Sequence, residues 1–463
     1  MKSFLFSSIC LVCLFLAQGA RAQIGKRFPS ERKEVTDPVT GVKLIFLTSS
    51  PNGDAKIYQT HNQWTSDGAW LIFRSNRVSG EAMAVNEITG EIIQVTEGGY
   101  TGMLNVARKS MKLYYMRHAE RVLKAQGDTV RRPNNSPKQI VEVDLGKLFA
   151  DSKQGNLKAA GFYQRVCGII PKELEGGGDM ALDGDEDWAY FRIGKDAAAK
   201  QLAMGTKVES NFGPRNMGAG PSGIAAMHIK TGEVKHVVSV PFQVGHIQTN
   251  PWVAGEIIFC WETGGKSPQR TWTVMHDGTG LRPLYPESEY EWVTHEAVIS
   301  KDEVAIAIMG HRKITSTKKD VAAGTDVSGA NPGQDTLWGP SGTREKPTGL
   351  GIVNLRTREM RIEGQTKSGS GLWHVSGSAD GRWAVGDDFR RNIYLIDRHN
   401  GEMMLLSAGH KASAADHPHP TMSPDGTKIQ VQSAMLSADN RSMNICIIPL
   451  PAKWLKRTYP TAN

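Results

Sequence analysis

The stretch Trp64-Thr-Ser-Asp-Gly-Ala-Trp-Leu-Ile-Phe-Arg-Ser75 decides how this chain reads. Its Asp-Gly pair closes a tight turn, and the alternating apolar residues that follow make a half-buried strand. The pattern returns as Ser378-Ala-Asp-Gly-Arg-Trp-Ala-Val and Ser423-Pro-Asp-Gly-Thr-Lys-Ile-Gln-Val, with looser copies near Val106, Ala181, Pro251 and Ile299. A second hairpin built on Thr-Gly-Glu or a relative follows, as in Met83-Ala-Val-Asn-Glu-Ile-Thr-Gly-Glu, Ala226-Met-His-Ile-Lys-Thr-Gly-Glu and Ile393-Tyr-Leu-Ile-Asp-Arg-His-Asn-Gly-Glu. Two hairpins make a four-stranded unit that cannot bury its own faces, so it must stack on its neighbours. Counting the first hairpins gives seven units, which predicts an all-β fold, a seven-bladed β-propeller. A pair of β-sandwiches would give no reason for one turn motif to recur throughout.

Outside this repeat, residues 1–22 read as a secretory signal peptide. Lys2 supplies the positive start, Phe4 to Ala17 is an apolar run too short to span a bilayer, and Ala20-Arg21-Ala22 is a cleavage site. A lipoprotein signal would need a small residue before the cysteine, but Ile9 precedes Cys10 and Val12 precedes Cys13. The expectation is a protein secreted across the inner membrane into the periplasm, with residues 23–463 as a single propeller domain and no membrane span. Cys167, Cys260 and Cys446 remain, an odd number that allows at most one disulfide. The remaining roughly 440 residues can bury a core without such staples. The formal charge of +8 comes without a run of five basic residues, which argues against nucleic acid and suits an anionic glycan. Two segments fit no blade: 195–222, a short helical start followed by Gly/Pro/Asn-rich chain, and the polar, aperiodic 311–349, read as an inserted loop.

Chemistry is concentrated in the histidines. In His417-Pro-His419-Pro the two prolines favour extended backbone, which puts residues i and i+2 on one side. Two imidazoles held side by side at a strand entrance suit a metal ion. His61, His246, His295 and His374 occupy comparable positions ahead of other strand turns. Because blade-entry loops of a propeller converge on its axis, these residues are expected to meet there. Three imidazoles are an ordinary ligand set for zinc, manganese, iron or nickel, and the HPHP stretch with His295 is one such set. Trp252, Trp261, Trp292 and Trp373 lie beside these loops, placed either to stack on sugar rings or to pack between blades.

From Gly245 to about Pro451 the chain resembles the oligogalacturonate lyases. The resemblance is carried by Val244-Gly245-His246, Ile258-Phe-Cys-Trp-Glu262, Thr294-His295-Glu296, Trp373-His374-Val-Ser376, Val385-Gly-Asp387 and His417-Pro-His-Pro-Thr-Met-Ser-Pro-Asp-Gly. It implies a seven-bladed propeller that cleaves short pectic fragments by β-elimination. It also implies a divalent ion, manganese first with zinc, calcium or nickel as alternatives, held by His295, His417 and His419. The family's fourth ligand, a glutamine, falls on Ala414 here, which leaves Asp416, Gln432, Glu296 or water for that place. By the same resemblance His246 is the base. The family's carboxylate-facing arginine falls on Gly220-Pro221-Ser222-Gly223, so Arg215 is the nearest catalytic candidate, with Arg74 as a second. His374, His61, Arg74 and Trp373 are expected to face the substrate, a uronate-containing oligosaccharide. A same-fold lyase acting on an ulvan or rhamnose-glucuronate glycan is the alternative, and a non-catalytic, partner-binding propeller a further one.

Overall fold

The computed structural model describes residues 23–119, 136–210, 217–263, 267–288, 291–311, 349–365 and 371–459. The expected signal peptide, Arg215 and nearly all of the 311–349 insertion lie outside the described residues. Seven antiparallel sheets follow one another along the chain. The first six blades span 54–94, 101–170, 180–242, 244–283, 291–364 and 374–407, with Arg27–Phe28 added at the outer edge of the first. The seventh takes Thr421–Met422, Lys428–Ser433 and Asn444–Pro449 from the end of the chain, and Lys43–Phe46 and Lys33–Thr36 from its beginning. Ile45 pairs with Ile447 and Phe46 with Cys446, so strands from both ends of the chain share one blade and close the ring.

The repeated turn works as its residues dictate. The Asp side chain accepts a hydrogen bond from the Ser or Thr hydroxyl two residues back, at 2.6 Å for Thr65–Asp67 and Ser378–Asp380. The same oxygen also accepts from the backbone N–H two residues on, at 3.0 Å for both Ala69 and Arg382. The glycine supplies a positive φ, 70° at Gly68, 75° at Gly381 and 66° at Gly426. In the first, sixth and seventh blades this turn joins the innermost strand to the second.

Seven apolar clusters fill the seven gaps between blades. Ile72, Ala84 and Ile93 of the first blade pack with Leu113, Tyr115 and Val141 of the second. The last gap joins Ile445 and Ile447 of the seventh blade to Leu71, Phe73 and Val85 of the first. A fully buried Ile, Leu or Phe is worth about 1.5–3 kcal/mol, so these faces make the ring cohere where an isolated blade could not. The three cysteines are buried thiols. Among the described residues no helix is long and apolar enough to cross a membrane. The 195–222 stretch is a helix at Lys195–Ala199, and its end enters the strand Ala219–His228.

Candidate active site

The histidines expected at the axis sit at the start of innermost strands, where local irregularities turn them inward. The ladder of Val244–Thr249 jumps between Gly245 and Gln248, and that of Glu291–Ser300 jumps between Val293 and Glu296. Each bulge frees one histidine, His246 and His295, from regular alternation. His246 and His419 have φ of 49° and 50°, a left-handed conformation uncommon for a residue with a side chain and concentrated at functional sites.

Five imidazoles meet there. Tyr58, on the chain that follows the innermost strand Asp54–Lys56, stands among them. Its ring centre lies 5.2 Å from that of His246, 6.3 Å from His295, 6.1 Å from His374 and 5.1 Å from His419. His374 in turn lies 3.7 Å from His419, 4.3 Å from His295 and 5.3 Å from His417. Half-buried Trp373 walls this group, 4.7 Å from His295, and Phe389 backs the tryptophan at 4.9 Å. Trp261 and Trp292 are buried, and Trp252 is exposed beside Arg108, 5.4 Å from its guanidinium.

One side of this mouth is acidic. His246 Nδ1 lies 2.8 Å from Glu296 Oε1, and its Nε2 lies 3.2 Å from Glu262 Oε2. Arg270, buried, donates from Nε to Glu296 Oε2 at 3.0 Å and brings Nη2 within 3.2 Å of His246 Nδ1. Nδ1 cannot both donate and accept. The shorter contact to a carboxylate assigns it the proton, leaving Arg270 to neutralise Glu296. Burial pulls the His246 pKa down, but the charges of Glu296 and Glu262 outweigh it and raise it above its ordinary 6.5.

The other side is rich in imidazoles with nothing to bond. His295 Nδ1, His417 Nδ1 and His419 Nε2 are buried and make no hydrogen bond. His419 Nε2 does come within 3.1 Å of Asp416 Oδ2, and His417 Nδ1 within 3.5 Å of Asp387 Oδ2, but without hydrogen-bonding geometry. Burial, with the neighbouring imidazoles adding to it, pushes His295 well below its ordinary pKa and His374 down to about 3. His419 is also lowered, burial outweighing Asp416. Neutral imidazoles with unbonded nitrogens are the form in which histidine binds a metal. Such nitrogens suit a divalent ion chemically, although His295 and His419 belong to neither of the close-packed ligand sets among the described residues. Among the described residues two sets bring three ligand atoms within 4.8 Å of one another, His374/Asp387/His417 and His246/Cys260/Glu262. Arg270 beside the second set disfavours a cation there.

The remaining candidates are placed as follows. His61 has both nitrogens committed, Nδ1 to Thr60 Oγ1 at 2.7 Å and Nε2 to the Met180 carbonyl at 2.8 Å. Arg74 donates to the Lys56 carbonyl at 3.0 Å. Gln432 uses both ends of its amide, accepting from Lys56 N and donating to the His417 carbonyl and Asp416. Ala414 turns its methyl into a small apolar cluster with Ala434 and Met443. Sequence reasoning missed Tyr58 as the centre of the mouth, and also Glu262, Arg270 and Arg192. Arg192, one-third exposed, reaches the Val244 carbonyl at 3.3 Å, two residues from His246. Only the Trp-Glu and Gly-Asp pairs inside the matched motifs hinted at Glu262 and Asp387. Arg192 and Arg270 stand in strand-like runs with no local mark.

No known family profile matches the chain, and no curated protein matches it in sequence. Its fold is that of solved oligogalacturonate lyases. One, in complex with manganese, superposes with a TM-score of 0.66 at 17% identity, over 94% of this chain and all of that one. Another, from Vibrio parahaemolyticus, gives 0.65 at 16% identity, over 93% of this chain and again the whole of the other.

Proposed function

We propose that this protein is a metal-dependent lyase that cleaves oligogalacturonides by β-elimination at a 4-linked uronic acid. The observation that carries this reading is the two-sided mouth. On one side an imidazole is fixed by carboxylates, and on the other three imidazoles, at His295, His417 and His419, keep an unbonded nitrogen. The C5 proton of a uronate is α to a carboxylate and only weakly acidic. A divalent ion, manganese by analogy with the solved lyase complex, would supply charge to stabilise the enediolate-like intermediate. His295, His417 and His419 would hold it. Glu296 fixes the His246 tautomer, so that Nε2 takes the C5 proton. The electron pair then forms the C4–C5 double bond, the bond from C4 to the glycosidic oxygen breaks, and that oxygen takes a proton. Tyr58 would give it. Burial, with Glu296 and Glu262 adding to it, pushes its hydroxyl well above 10, so it keeps its proton until the leaving group demands it. Arg192, or Arg215 from outside the described residues, would meet the substrate carboxylate, and Trp373 would stack on a sugar ring.

A second reading, the same chemistry on an ulvan or rhamnose-glucuronate glycan, is favoured by two departures. Ala414 faces an apolar cluster, and Gly220-Pro221-Ser222-Gly223 offers no arginine. A panel of uronate oligomers, assayed by the ultraviolet absorbance of the unsaturated product with manganese present, separates the readings. Signal with oligogalacturonides, lost together with bound metal in His417→Ala, is expected. Signal only with another uronate moves the assignment to the second reading, and silence on every uronate leaves a partner-binding propeller.

A further inference from the structure

We infer that His374, which sequence reasoning directed at the substrate, is itself a ligand of the metal. The inference rests on the metal-dependent reading above and adds to it. Its first support is position. His374 has its ring centre 3.7, 4.3 and 5.3 Å from those of His419, His295 and His417, so it neighbours all three of the other candidate ligands, and with His417 and Asp387 it brings ligand atoms within 4.8 Å of one another. An imidazole bonded at about 2.1 Å has its ring centre about 3.2 Å from the ion, so two rings at right angles on one ion stand about 4.5 Å apart. The three distances scatter around that value.

The second support is orientation. His374 Nδ1 lies 3.1 and 3.2 Å from the two oxygens of Asp387, and Asp387 Oδ1 also accepts from the His374 backbone N–H at 2.7 Å. Asp387 is fully buried. A histidine that donates one ring N–H to a buried carboxylate presents the other nitrogen as its ligand atom, and this pairing fixes tautomer and ring plane around metal centres. His419 repeats the arrangement, with Nδ1 2.9 Å from Gln59 Oε1 and Nε2 left unbonded.

The third support is elimination among the other candidates for a fourth ligand. Ala414 offers no donor, both ends of Gln432 are hydrogen-bonded, and Glu296 holds His246 and Arg270. Asp416 is in reach of His419 but offers oxygen, which a count of coordinated nitrogens distinguishes.

The test is manganese or copper binding by the full chain labelled with 15N-histidine, read by titration and by pulsed electron paramagnetic resonance. The wild type should show four coupled histidine nitrogens. His374→Asn keeps a donor toward Asp387, and should drop the count to three and weaken binding tenfold or more. Three nitrogens in the wild type, or an unchanged count and an affinity within twofold in His374→Asn, overturns the inference and leaves the metal reading standing. A wild type that takes up no divalent ion defeats the metal reading itself. The wild-type count needs no variant, so a misfolded His374→Asn does not spoil the test.

Discussion

His410 and the histidines of the mouth are buried in the same ring on different terms. His410, on the connection from the sixth blade to the seventh, puts Nε2 2.8 Å from Ser407 Oγ and Nδ1 2.8 Å from Ser433 Oγ. Both nitrogens are satisfied, and the residue behaves as a structural polar bridge. His295 leaves Nδ1 without a partner, while His417 Nδ1 and His419 Nε2 face carboxylates at 3.5 and 3.1 Å without hydrogen-bonding geometry. Leaving a buried polar atom unpaired costs about 1–3 kcal/mol, so poorly satisfied nitrogens gathered in one place are an arrangement that folding alone does not favour. Burial is common to both regions. The presence or absence of a partner separates a structural histidine from one held ready for chemistry.

The comparison breaks first at His246, which Glu296 and Glu262 hold by both ring nitrogens and which is the proposed base. His246→Ala should lower kcat on the cleaved uronate about 10²–10⁴-fold with the fold intact, checked by steady-state assay and circular dichroism. A smaller loss would return His246 to the structural class.

Acid tests the satisfied class. Burial holds His410 and His61 down at about 4 in the folded chain, against an ordinary 6.5. The unfolded chain therefore binds these protons first, between pH 6.5 and 4. Stability is full above 6.5 and falls as the pH drops through that window, by about 3 kcal/mol per histidine at its end. Denaturant unfolding of the metal-free protein across this range sums this loss with that from the lowered His295, His374 and His419, and the His410→Asn difference isolates close to one histidine's share.

The sharpest and smallest test pits one class against the other. His410→Leu removes one hydrogen bond from each of Ser407 and Ser433, leaving them Asp37 and the Met435 N–H as partners, and should destabilise the metal-free protein by about 1–2 kcal/mol. His295→Leu removes a bare nitrogen and should stabilise it by about 1 kcal/mol while abolishing metal uptake. Equal signs in denaturant melts would erase the distinction.

The fold was legible because its signal is local and repeated. The Ser/Thr-x-Asp-Gly turn carries its own hydrogen bonds within four residues, so each copy announces a strand boundary wherever it stands. The closure was not legible. Lys33–Thr36 and Lys43–Phe46 carry no turn motif; the second pairs with Asn444–Pro449, some four hundred residues away, and the first joins that blade only through the second. The site was legible where position follows from the repeat, which brought His246, His295, His374, His417 and His419 toward one axis. His61 keeps the same register, yet Thr60 and the Met180 carbonyl occupy both its nitrogens.

The sequence by itself determined the seven-unit repeat, the turn chemistry and which residue type would line the axis. These depend on spacing and on contacts within a few residues. Only the tertiary structure decided which imidazoles are satisfied and which are bare. It also showed that Glu296 and Arg270 fix His246, that Asp387 aims His374, and that Tyr58 stands at the centre. Those outcomes depend on partners supplied by other blades, and partnership in a buried, low-dielectric mouth sets both the charge and the task of each histidine.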